Sequence, residues 1–192
     1  MKWRGPLPAA LTTLLLLAGC ASAQLAAPQP VFSSLRTIRA AGIPALAVGR
    51  FGPGPGLPAG RDTGLIVRAA PIRPPEGSSF SAYLGETLKT ALESAGRLDP
   101  SSPITVSGLL DENRIDAGLG HGGGSLAATF VVSHAGQEVW RKSIRVEREW
   151  DSSVIGSVAF MQAELGYGGL YQQLVERLIA DPEFQRVVQP GS

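Results

Sequence analysis

Between residues 125 and 149 the chain reads SLAATFVVSHAGQEVWRKSIRVERE, and this stretch narrows the choice of fold more than any other. In its second half Trp140, Ile144, Val146 and the following Trp150 share one parity, while Arg141, Ser143, Arg145, Glu147 and Glu149 share the other. A period of two with one apolar and one polar face belongs to a strand that packs on one side and meets water on the other. Lys142 and Arg148 intrude on the apolar parity, so exposure is expected near the ends of that strand. The run 125–133 is apolar on both parities, which predicts a central strand. The short connection His134-Ala135-Gly136-Gln137 predicts an antiparallel hairpin.

The remaining elements are placed around that hairpin. A third strand is expected over 104–115, and two earlier ones over 43–51 and 64–70, with the punctuated GPGPGLPAG between them unable to continue any regular element. In the segment SSFSAYLGETLKTALESAGRLDP, Ser78 or Ser79 can cap a helix. Phe80, Tyr83, Leu84, Leu88, Ala91, Leu92 and Ala95 recur there at helical spacing, and Gly96 supplies the stop. A second long helix is expected after Ser152 or Ser153. Gly166, Gly168 and Gly169 inside it each cost about 1 kcal/mol relative to Ala, which predicts close packing or a kink. Asp181 before Pro182 reads as an N-cap and first helical residue of a last short helix. The expectation is an α+β fold: an antiparallel sheet of about five strands in ββαβββα order, with two main helices packed on it, forming a single domain over 43–188 and a tail over 189–192.

Upstream, residues 1–19 begin with Lys2 and Arg4, continue through an apolar stretch over 7–18 interrupted only by Thr12 and Thr13, and end in small residues. That is the three-part plan of an export signal, and the stretch is shorter than the roughly 20 apolar residues a spanning helix needs. Leu17-Ala18-Gly19-Cys20 resembles the lipobox of bacterial lipoproteins, and Cys20 is the only cysteine in the chain. The resemblance implies a diacylglyceryl group on the Cys20 sulfur, cleavage before Cys20 and acylation of the new amino group. A cut after Ala23 would instead release an ordinary secreted protein. Two or more acyl chains make a stable anchor where one is marginal. Ala21 after the cysteine, by the enterobacterial sorting rule, implies the periplasmic face of the outer membrane. Residues 20–42 are expected to be the lipidated N-terminus and a tether, of which VFSSLRTI can form a short helix or dock on the domain.

Little else suggests chemistry. The run Gly120-His121-Gly122-Gly123-Gly124 invites comparison with the oxyanion loops of esterases, but no G-x-S-x-G pentapeptide accompanies it, so residues 121–124 are expected to be a flexible connection between strands. A hydrolase using Ser125 or His121 is the enzymatic alternative, and a non-catalytic protein is the expectation. Two histidines and one leader cysteine do not make a zinc site. Asp111, Glu112 and Asp116 lie outside any EF-hand pattern and are expected on a solvated strand end. No cofactor or metal is implied. The formal charge of +1 becomes −1 once Lys2 and Arg4 leave with the leader, which gives no electrostatic footprint for nucleic acid. Trp140, Trp150, Tyr167 and Tyr171 are expected either as core beneath the last long helix or as the lining of an apolar groove that accepts a lipid tail or peptide.

From residue 80 to 188 the order SAYLGETLKTALESAG, ITVSGLLDENRID, LAATFVVSHAGQEVWRKSIRVERE, SSVIGSVAF and LVERLIADPEF resembles small bacterial lipoproteins of the ABC-transport auxiliary type, including the family often called YajG-like. The resemblance implies helices on an antiparallel sheet, held at a membrane and working beside an envelope lipid or solute transport system. It carries over no catalytic residues. The partner would be an envelope protein complex or a lipid. A related alternative is an outer-membrane activator of a peptidoglycan synthase, which shares the plan of lipid, tether and small domain.

Overall fold

Three consecutive strands form the scaffold: β5 (Ile104–Ala117), β6 (Gly120–His134) and β7 (Gln137–Ser152), paired antiparallel along nearly their whole lengths. The computed structural model describes residues 23–68 and 70–189. The β6–β7 turn is made by Ala135 and Gly136 at φ +48° and +83°. Positive φ at both central residues is what a two-residue type I′ hairpin requires. The β5–β6 connection is equally short, Gly118-Leu119, so β5 and β6 are longer than expected and the glycine run 122–124 lies inside a strand paired on both sides. The flexible connection expected at 121–124 is therefore replaced by the central strand of the sheet. Intrinsic preference against glycine in strands is overridden here by cross-strand packing.

The sheet order is β2-β5-β6-β7, with β2 (Ala47–Pro53) joined parallel to β5. Its chain path leaves through a small second sheet made of β3 (Leu65–Val67), β4 (Ala70–Arg73) and β1 (Ala23–Gln24), and returns along α2 (Phe80–Ser94). The α+β class holds. The main sheet has four strands and one parallel pair, because the strand expected at 64–70 folds back on residues 70–73 instead of joining it. Ser79 caps α2 by accepting from the Ala82 amide at 3.1 Å, and Gly96 ends it at φ +68° while Arg97 N–H returns to the Leu92 carbonyl. This is the Schellman closure that a glycine permits.

Helix α3 (Gly156–Ala180) lies beside α2 on one face of the sheet, and α1 (Phe32–Ala40) packs outside both. A short α4 (Pro182–Val187) follows, with the Asp181 carboxylate accepting from the Glu183 and Phe184 amides as the sequence predicts. The core between helices and sheet holds Phe80, Leu84, Leu88, Val106, Leu110, Leu126, Phe130, Val146, Leu174 and Leu178. Among the described residues no helix packs on the opposite sheet face, so β6 is central in order but covered on one side.

The N-terminal segment expected as a tether is part of the fold from Ala23 onward. β1 runs parallel to β4, Leu25 is buried and its N–H donates to the Arg73 carbonyl at 2.9 Å, and Ile38 of α1 is fully enclosed. Ser33 and Ser34 hydroxyls both donate to Glu176 of α3. Residues 23–42 thus sit on the domain, and only 20–22 separate the expected lipid from it. Cys20 and the tail end at 190–192 lie outside the described residues.

Candidate functional site

A bulge in β5 organises the interior. Leu110 pairs with Ala128 and Glu112 with Ala127, so Asp111 is the extra residue of that pair. An inserted residue inverts the parity of everything after it. Before the bulge Ile104, Val106 and Leu110 point inward; after it Asn113 does, and Asp111 and Glu112 both meet the outer face.

Asn113, 2% exposed, is thereby placed beneath α3. The Tyr167 hydroxyl donates to its Oδ1 at 2.5 Å, the Tyr171 hydroxyl lies 2.7 Å from that of Tyr167, and Asn113 Nδ2 donates to the Arg61 carbonyl at 2.7 Å. Every member of this buried chain has a partner, which is the condition under which a polar group is tolerated in a core. Tyr83 stacks edge-on against Tyr171 at 4.9 Å, and its hydroxyl donates to the Ala26 carbonyl of the N-terminal segment. Burial pushes the Tyr167 and Tyr171 phenols well above their ordinary range, so both stay neutral donors.

The four aromatic residues named from the sequence are not brought together. Tyr167 and Tyr171 are fully enclosed. Trp140 packs on Phe184 of α4 at 5.9 Å, while Trp150 lies ten residues further along β7, about 33 Å away at strand rise. Trp150 fills a socket of glycines: a Cβ built on Gly122 would stand 2.3 Å from its Nε1, one on Gly166 2.5 Å from its Cε3, and one on Gly124 3.2 Å from its Cη2. This is the close packing expected of Gly166, and it gives the glycine run of β6 a structural task. Phe51 makes a similar contact between Gly85 of α2 and Gly108 of β5. The cations that break the apolar parity of β7 are likewise placed. Lys142 bonds Asp181 and Glu183 at 2.8 and 2.9 Å, and Arg148 lies over Gly169.

The residues of the hydrolase alternative are also apart. Ser125 and His121 are four strand positions, about 13 Å, from each other, and the Ser125 hydroxyl donates to Glu112 at 2.5 Å. Asp111 accepts from Thr129 at 2.6 Å, and Glu112 is further engaged by Arg145 at 2.9 and 3.2 Å. Arg145 and Ser125 hold the Glu112 carboxyl down to about 2 from an ordinary 4.5. A carboxyl depressed in the folded state contributes stability that is present above pH 4.5 and lost as pH falls toward 2. Because the pair is partly solvated, Glu112→Gln is expected to cost about 1 kcal/mol at neutral pH. The difference in urea midpoint from the parent should close as the pH approaches 2, and a difference independent of pH would contradict this assignment.

Two of the surface grooves among the described residues have apolar side chains in their lining. One, about 330 Å³, runs between α2 and the edge strand β2, with Val48, Phe51, Gly85 and Leu98 in its lining. The other, also about 330 Å³, lies between residues 25–29 and α3, with Leu25, Ala26, Tyr83 and Leu165 in its walls. No described helix is long and apolar enough to cross a membrane.

Among solved structures the chain is similar to a Xanthomonas campestris protein assigned to the family DUF330, with a TM-score of 0.55 and 13% identity over 83% of this chain and 92% of that one. It is also similar to a Chlamydia trachomatis protein (TM-score 0.47, 11% identity, 76% and 97% covered) and to a minor lipoprotein of Acinetobacter baumannii (0.40, 13%, 72% and 92%). The Xanthomonas likeness is one of fold. No family model and no curated protein matches the sequence.

Proposed function

We propose that the chain is a non-catalytic, lipid-anchored lipoprotein of the bacterial envelope, attached at Cys20 to the periplasmic face of the outer membrane. The observation that carries this reading is the agreement between a charged start, an apolar stretch and Leu17-Ala18-Gly19-Cys20, followed within three residues by the first strand of the folded domain. Its work is that of an accessory or binding component beside an envelope lipid or solute transport system. That finer role comes from the resemblance of residues 80–188 to transport-auxiliary lipoproteins, and two surface grooves with apolar side chains in their lining are consistent with it. The short sequence distance from Cys20 to β1 counts against the peptidoglycan-synthase activator. Three residues extend about 10 Å at most, too little to carry the domain through a cell-wall layer.

Crosslinking in intact cells tests the role. Recovery of inner- or outer-membrane transport components with the wild-type protein, lost for a Cys20→Ala variant, is the expected result. Capture of no envelope component would overturn it.

A further inference from the structure

Several large apolar side chains stand in solvent, and five of them share one rim of the molecule. Leu119, 77% exposed, is the tip of the β5–β6 hairpin, and Val154 and Ile155, 76% and 61% exposed, fill the β7–α3 turn. Met161 and Leu165 follow at i, i+4 spacing on the outside of α3. Gly120 pairs with Ser152, and the Arg68 guanidinium donates to the carbonyls of Ala117 and Gly118 while reaching Ser152 Oγ at 3.4 Å, so hairpin tip and β7 end form a single edge. Between Ser152 and Gly169 the only charged side chain is Glu164.

The chain enters the fold at this same edge. β1 is parallel to β4 with Ala23 opposite Ile72, so the direction backward from Ala23 leads toward Ala70 and Arg68. Leu165 independently lies against the entering segment, sharing a groove with Leu25 and Ala26. Cys20 precedes Ala23 by three residues and is held within about 10 Å of it by covalent reach. An acyl group there leaves the domain no freedom to stand away from the bilayer.

Resting on the lipoprotein reading, we propose that the rim of Leu119, Val154, Ile155, Met161 and Leu165 is a membrane-contact surface that enters the interface of the leaflet holding the Cys20 lipid. The rim is a set of protruding turns and a helix start, with Asp151 and Arg68 at its border and Glu164 beside Leu165. Such a surface suits shallow insertion of side chains among headgroups. The domain then lies on the membrane with the β6–β7 hairpin, at the other end of the strands, pointing into the periplasm.

The test places one labelling thiol at a time in the mature exported protein, with Cys20 blocked by its own thioether. Val154→Cys and Leu119→Cys report the rim, and Val139→Cys, near the β6–β7 hairpin, reports the far end; all three positions are exposed, so folding is not challenged. Each is labelled with an environment-sensitive fluorophore in vesicles of phosphatidylethanolamine and phosphatidylglycerol. The expected result is a blue shift and quenching by spin-labelled lipid at 154 and 119, with neither at 139. Equal, water-like emission at all three sites in protein whose Cys20 carries lipid would overturn the proposal. So would a blue shift at 154 that grows with protein density, ignores lipid quencher and accompanies 154-to-154 crosslinks, because a second copy would then cover the rim. If mass analysis finds Cys20 bare, the lipoprotein reading fails separately. The same labels on protein carrying Cys20→Ser, added to vesicles, then decide the rim, with lipid quenching at 154 supporting it and its absence refuting it.

Discussion

Replacing Tyr167 by alanine lowers the stability of this domain by about 3–5 kcal/mol, the usual range for deleting a fully buried aromatic side chain. The expected loss is a large part of the roughly 5–15 kcal/mol that holds a domain together. Tyr167 packs edge-on against both Phe80 and Tyr171, at 5.6 and 5.4 Å, so two ring contacts go with it. The more informative variant is Tyr167→Phe, which keeps the ring and removes only the hydroxyl. It strands Asn113 Oδ1 and takes away the acceptor of Tyr171. A buried polar group left without its partner costs about 1–3 kcal/mol, or roughly 2–4 °C of melting temperature for each kcal/mol in a chain of this size. In a cycle with Asn113→Ala the double variant should cost less than the sum of the singles, because both remove the same bond. A neutral Tyr167→Phe, or strict additivity, would contradict the network.

The second large effect is expected at Gly166, where valine has no room. The ring of Trp150 lies within 3.0 Å of any Cβ at that position, and the ring is itself fixed by Gly122 and Gly124 of β6. Overpacking of this kind costs about 1–3 kcal/mol, and a β-branched residue in a helix adds several tenths. Gly166→Ala is the milder case, since roughly 1 kcal/mol of helix propensity offsets part of the clash. The diagnosis is in the partner. With Trp150→Ala as background, Gly166→Val should cost far less, because the added methyls enter the space the indole vacates. Chemical denaturation of the four proteins checks this, and equal costs in both backgrounds would place the constraint elsewhere. The indole N–H is buried without a partner among the described residues. We read this as the cost of seating a tryptophan in a socket made for shape.

These two sites show what the sequence could and could not disclose. Alternation in 137–149, the helix signals at Ser79, Gly96 and Asp181-Pro182, and the apolar stripe of α2 are local, and they identified their elements closely. The HGGG run did not read as a strand, because what holds it there is an indole contributed by Trp150 and a helix glycine contributed by Gly166, neither visible from local propensity. Asn113 escaped for a different reason. Its inward direction follows from the bulge at Asp111, and a one-residue insertion leaves no clear mark in composition. The parallel pairing of β2 with β5 is likewise a property of the whole fold. Residues 23–42, poor in periodicity and rich in Ala, Pro and Ser, resembled a tether because the contacts that dock them are long-range: Leu25 to Arg73, Ala26 to Tyr83, and Ser33 to Glu176. For the candidate site, the pattern left the four aromatic residues either as core beneath α3 or as the lining of a groove; Tyr167 and Tyr171 lie in the core and Trp140 packs on α4. Their division between a tyrosine pair in the core and two tryptophans at opposite ends of β7 needed the structure.

The docked N-terminal segment also alters what the anchor would do. A long flexible tether lets a domain search for distant partners, whereas a reach of about 10 Å would, on the proposed anchoring, hold it close to the bilayer. On the proposed anchoring, a partner would have to come to the membrane surface to meet the outer sheet face or the groove beside α2.

Mass spectrometry of the mature N-terminus, taken from protein made by its own export pathway, tests the central claim most directly. The expected product is a chain that begins at Cys20 and carries a thioether-linked diacylglyceryl group, with an acyl chain on the amino group. A mature chain beginning at unmodified Ala21 or Gln24 would contradict it.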